Sequence, residues 1–130
     1  MLIPQTVVFY GIISGLGIGI YEGVSCQRTL NREQVADLAY FLNIARLTSL
    51  PFLHAIWSGI AGYFISFAAL VPAKRYALWA VAILIPAALQ FLYDTFGLSI
   101  VGLATALFSV VLLRTYLSNC QQMQQHLAKP

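Results

Sequence analysis

Charged residues are scarce in this sequence: 8% of its 130 residues are Asp, Glu, Lys or Arg, while 60% are hydrophobic. Soluble domains carry roughly 25% charged residues. Too few are present here to cover a surface facing water, which excludes an ordinary soluble domain. The seven Lys/Arg and four Asp/Glu give a formal net charge of +3. No basic run is longer than Lys74-Arg75, so nothing resembles a nucleic-acid surface, and no nucleic-acid partner is expected. Cysteine is nearly absent as well. Cys26 and Cys120 make neither a disulfide framework nor a metal motif. The first residues lack the basic region and small-residue cleavage site of a secretory signal. No long linker and no internal repeat divides the chain, whose length suits one small helical domain.

What the sequence does have is long apolar runs and a mean hydropathy of +0.81. A helix crossing a bilayer needs about 20 mostly apolar residues. Four stretches meet that need, at about 3–24, 45–70, 76–96 and 98–117. The fold expected is all-α: a polytopic membrane protein with a transmembrane domain over 1–118 and a polar tail over 119–130. Pro51 and Pro86 fall inside the second and third spans, where each removes a backbone donor. Between the first two spans a polar segment carries Arg28, Arg32 and Glu33, and a short surface helix is expected through Leu38, Phe41 and Leu42. Residues 71–75 read as a turn, and the Gln-rich tail reads as a frayed helix in water. Four spans put both termini on one side. Lys74, Arg75, Arg114 and Lys129 share that side, against Arg28, Arg32 and Arg46 on the other, a small excess that favours cytoplasmic termini.

Ionisable side chains in a span cost roughly 2.5–3.5 kcal/mol on insertion scales and by default mark function. Here they are Glu22, Arg46, His54 and Asp94, with the amide Gln90 beside them. Glu22 lies at the far end of the first span from the N-terminus. At 1.5 Å per residue, His54 and Gln90 lie roughly 13 Å and 10 Å in from that same membrane face, with Asp94 one turn nearer to it. All therefore fall in one leaflet. Gly11, Gly15, Gly19 and Gly23 form a small-xxx-small stripe suited to close helix packing, and Glu22 projects within its arc. His54, Ser58, Gly62 and Ser66 repeat every four residues, as do Pro86, Gln90 and Asp94. These polar residues are expected to point at packed neighbours. On these grounds alone they suit helix-bridging hydrogen bonds, a metal or catalytic site, or a transport path. Trp57 and Trp79 read as packing or interfacial anchors.

The run Tyr10 to Glu22, with its Gly-Leu-Gly core, resembles the first conserved block of the PrsW family of intramembrane metalloproteases. Arg46, followed by Pro51, His54-Ala55, Gly59 and Gly62-Tyr63, resembles the second block, the most specific of the three. The run Leu89 to Asp94 resembles the closing helix, in which Gln90 stands where the family has histidine. The resemblance covers about residues 8–96. It implies an enzyme of the CAAX-prenyl endopeptidase and Abi group that cleaves single-span membrane proteins near or within the bilayer. It also implies a zinc site lined by Glu22, His54 and the Gln90 position, a catalytic role for Asp94 beside Glu22 and His54, and Arg46 and Ser58 lining the site.

Zinc accepts imidazole nitrogen and carboxylate oxygen and activates water at an open position. A neutral amide is a poor ligand by comparison. Ile18 stands where the family has phenylalanine, a minor departure. The family's opening glutamate pair does not precede the first block, so the resemblance implies the C-terminal part of such a protease or a degenerate member, with weak zinc binding. The expected setting is a bacterial or archaeal cytoplasmic membrane, with lipid and transmembrane substrates or partner helices around the chain. Two other readings stand beside it: a catalytically dead relative that binds membrane helices, and a small ion-coupled transporter subunit using Glu22 and Asp94.

Overall fold

The structure, a computed structural model, describes residues 4–30, 38–97 and 99–127. It is all-helical there: α1 is Pro4–Leu30, α2 is Leu38–Leu70, α3 is Arg75–Phe96 and α4 is Ile100–Leu127. Four segments within these elements are long and apolar enough to cross a bilayer: Pro4–Ser25, Leu47–Leu70, Pro72–Phe96 and Ile100–His126.

Local chemistry sets the breaks. Pro72 opens a short 3-10 turn, Pro72–Lys74, in which the Lys74 N–H donates to the Val71 carbonyl at 3.0 Å. α3 follows directly and stops at Gly97, whose N–H donates to the Tyr93 carbonyl at 2.7 Å with a φ of +47°. Glycine reaches that φ without a Cβ clash. Ser99 then starts α4, its Oγ accepting a long bond (3.4 Å) from the Gly102 N–H. α2 and α3 both run unbroken through their internal prolines.

Two elements run on beyond their expected bounds. Leu38, Phe41 and Leu42 do not form a separate surface helix; they are the first turns of α2. No glycine or proline lies between residue 38 and Pro51 to interrupt them. α4 likewise continues as helix to Leu127. Cys120, within the expected tail, is fully buried in a cluster with Val8 and Tyr63. The polar segment of residues 31–37 lies outside the described residues.

α2 is the central helix. Its span is 56% buried, against 22% for α1, 17% for α4 and 11% for α3. One cluster joins Leu53, Trp57 and Ile60 of α2 to Leu89 of α3. A second joins Val8, Tyr63 and Cys120, and here Tyr63 stacks on Tyr116 with centroids 4.4 Å apart. The large apolar side chains left outside, among them Phe9, Ile13, Ile83, Leu84, Leu107 and Phe108, suit a lipid solvent rather than water.

Candidate functional site

The site grows from the seam between α1 and α2. The helices run antiparallel, and every step of four along α1 meets a step of four back along α2. A Cβ placed on Gly11 would strike the Ser58 carbonyl, one on Gly15 the His54 carbonyl, and one on Gly19 Leu50 and Pro51. Gly62 approaches Val7 and Val8 in the same way. The seam is therefore closed backbone to backbone, which only small residues permit.

Seven residues separate Glu22 from Gly15, the residue that faces His54. The two Cα atoms thus differ in level by roughly 10 Å along the seam. Side-chain direction closes that gap. A helical side chain leans towards its own N-terminus. In this antiparallel pair Glu22 leans down α1 and His54 leans up α2, so the two converge near Gly19, which presents no side chain. Glu22 Oε2 reaches within 2.6 Å of His54 Nε2.

That contact is close but is not aligned as a hydrogen bond. Nε2 is buried and has no hydrogen-bond partner among the described residues. His54 is 6% exposed, while the Glu22 side chain is 42% exposed. The Glu22 carboxylate thus stands in ion-pair range of a buried ring nitrogen that no aligned hydrogen bond holds.

The imidazole is fixed from behind. Trp57 meets it edge-on with centroids 5.4 Å apart. The Trp57 indole N–H donates to Ser109 Oγ at 3.1 Å, and the Ser109 hydroxyl donates to the Thr105 carbonyl at 2.8 Å. Tyr93 packs against the other side of Trp57 at 6.0 Å, and its hydroxyl donates to Ser49 Oγ at 3.2 Å. α2, α3 and α4 thus all contribute to holding one ring. Sequence reasoning did not single out Ser109, Thr105 or Tyr93. The available signal was two hydroxyl residues four apart inside an apolar span.

The remaining expected residues are placed as follows. Ser58 lies on the seam, its Oγ 2.7 Å from where a Gly15 Cβ would stand. The Arg46 side chain lies outside the described residues. Gln90 is half-buried and Asp94 is exposed. The buried face of α3 is set by Ala82 and Leu89, with Ile85 and Tyr93 packed beside them. At about 100° per residue, Asp94 stands roughly 140° round from Leu89, away from that apolar cluster. No Cα of α1 comes within 8 Å of α3 among the described residues. α1 and α3 therefore each pack on α2 rather than backbone to backbone on one another.

The donor chemistry suits a metal in part. Two ligands at about 2.0–2.1 Å on a tetrahedral zinc stand about 3.3 Å apart, so this pair needs to open by less than 1 Å to share an ion. Catalytic zinc sites use three protein ligands. Among the described residues no third His, Cys, Asp or Glu joins the pair.

Four membrane-length helices, two of them closed on a glycine seam that carries the Glu22–His54 contact, define an integral membrane protein. The chain belongs to the PrsW family intramembrane metalloproteases, whose family model matches residues 4–118. That membership implies a metal. No curated protein and no solved structure matches the chain.

Proposed function

We propose that the Glu22–His54 pair is the metal-binding half of an intramembrane endopeptidase site that takes zinc and acts on single-span membrane proteins. The observation that carries this reading is the buried Nε2 of His54, without a hydrogen-bond partner and within 2.6 Å of a carboxylate oxygen. When bound, zinc supplies the Lewis acidity that makes water nucleophilic at neutral pH. His54 offers a ring nitrogen whose direction Trp57 fixes. Glu22, the more exposed partner, offers a carboxylate that can hold the ion or accept a proton. The glycine seam buries His54 and leaves Glu22 partly exposed. Gln90 stands near the same depth on α3 and offers only an amide.

A second reading has its own support. Two donors are fewer than a catalytic zinc keeps, which favours a relative that engages membrane helices without cutting them. The test is to reconstitute the chain with zinc and a single-span reporter, alongside His54→Ala. Cleavage that depends on His54 supports the protease. A reporter that co-purifies intact with both proteins, with no cleavage by either, overturns it in favour of the binding role.

A further inference from the structure

At the opposite membrane face from the Glu22–His54 pair, the corner between α2 and α3 carries a groove of about 330 Å³ lined by Ile65, Ala68, Ala69, Pro72, Arg75 and Trp79. Its composition is divided by position. Ile65, Ala68 and Ala69 form an apolar wall on α2, and the two alanines leave space that larger side chains would fill. Arg75 stands at the mouth, at the first turn of α3, with Trp79 one turn on and therefore on the same face. Arg75 and Trp79 are both exposed. A cation at the rim, an indole one turn inward and an apolar trough beyond match an amphiphile with an anionic head. They do not match a soluble anion, which would leave the trough empty.

Charge distribution points the same way. The four acidic residues are Glu22, Glu33, Asp37 and Asp94. All belong to the α1–α2 connection or to the helix ends beside it. Among the described residues, the corner between α2 and α3 carries Lys74 and Arg75 and no carboxylate side chain. Among the described residues, no acidic side chain lies at that corner to offset the positive charge of Arg75. Basic pockets between spans at the headgroup level attract anionic lipid.

We infer that this corner is a binding site for one anionic phospholipid, with its phosphate on Arg75 and one acyl chain along Ala68, Ala69 and Ile65 beside Trp79. The lipid clamps α2 to α3, the pair that also brings Tyr93 against Trp57, and so links membrane composition to the packing behind His54.

The test is native mass spectrometry of the detergent-solubilised chain offered equal amounts of phosphatidylglycerol and phosphatidylcholine with identical chains. A single basic group near the surface is worth roughly a fivefold preference. The wild type is expected to retain phosphatidylglycerol about fivefold over phosphatidylcholine, and Arg75→Gln to bring the ratio close to one. Lys74→Gln, at the same corner but outside the groove lining, leaves the ratio unchanged. Ala69→Phe, which fills the trough, lowers retention of both lipids. Excess glycerol 3-phosphate does not displace the bound lipid. A wild-type ratio near one overturns the proposal, as does an unchanged ratio in Arg75→Gln. Equal losses from Arg75→Gln and Lys74→Gln would show diffuse surface charge. Displacement by glycerol 3-phosphate would show a plain anion site, and unchanged retention in Ala69→Phe would show that no chain lies in the groove. Each of these three also overturns it.

Discussion

Replacing Gly19 by alanine tests the seam at the level where Glu22 and His54 meet. The new Cβ would stand 2.5 Å from Pro51 Cα, 2.7 Å from the Leu50 carbonyl oxygen and 2.9 Å from Pro51 N. All three are backbone atoms, so no rotamer change relieves the clash. Carbon atoms rest at about 3.5–4.0 Å, and α1 and α2 must therefore part by about 1 Å. Overpacking of this kind costs roughly 1–3 kcal/mol. Alanine in mid-helix returns about 0.5–1 kcal/mol of the backbone entropy that glycine loses. The net expectation is a loss of about 0.5–2 kcal/mol.

Gly17 is the internal control, because nothing lies within 4 Å of its Cβ position. Gly17→Ala should gain the propensity term alone, about 0.5–1 kcal/mol. Reversible unfolding in mixed detergent micelles, followed by circular dichroism, gives both values. The two variants should move in opposite directions. If Gly19→Ala is as stable as Gly17→Ala, α1 and α2 are not in backbone contact, and the convergence of Glu22 with His54 loses its basis.

Three further outcomes follow. Gln90→His adds an imidazole at the position the family fills with histidine, and should raise zinc affinity by about tenfold or more, since even outer-shell changes move it 10–100-fold; calorimetric titration against wild type measures it. Trp57→Phe removes the indole N–H and leaves the buried Ser109 hydroxyl without that donor, so unfolding should show a loss of about 0.5–1.5 kcal/mol, while Ser109→Ala in the same background adds little. In a Cys26→Ser background, Cys120, which is fully buried among Val8 and Tyr63, should resist maleimide until the bundle is opened by denaturing detergent; prompt labelling of the native protein would refute its placement.

The spans and the α1–α2 seam were legible because they rest on patterns a sequence displays directly. Apolar length gives the spans, and Gly11, Gly15 and Gly19 at steps of four meet Ser58, His54 and the Leu50–Pro51 backbone. The pairing of Glu22 with His54 was legible as a shared leaflet, as faces shared with small residues and through the family resemblance. Its contact depends on opposed side-chain lean, which spacing alone does not reveal. The exposed position of Asp94 was not legible. In lipid both faces of α3 are apolar, so no amphipathic contrast marks Leu89 and Ala82 as the packed side. Ser109 escaped notice for a related reason. Its hydroxyl is satisfied by the carbonyl four residues back, so it sits in an apolar span without disturbing the hydropathy. The reach of α4 to Leu127 lies beyond what bilayer thickness constrains, and Cys120 within it packs against Val8 and Tyr63.

The central claim is that His54 and Glu22 together bind a metal, and ¹⁵N-histidine NMR of the micelle-embedded chain during zinc titration tests it most directly. The chain has two histidines, His54 and His126, so the signals are assigned by His126→Gln. Zinc should shift the His54 ring nitrogens at concentrations that leave His126 unmoved, and Glu22→Gln should weaken that shift several-fold. A His54 signal that ignores zinc, or that responds equally with and without the Glu22 carboxylate, would contradict the account.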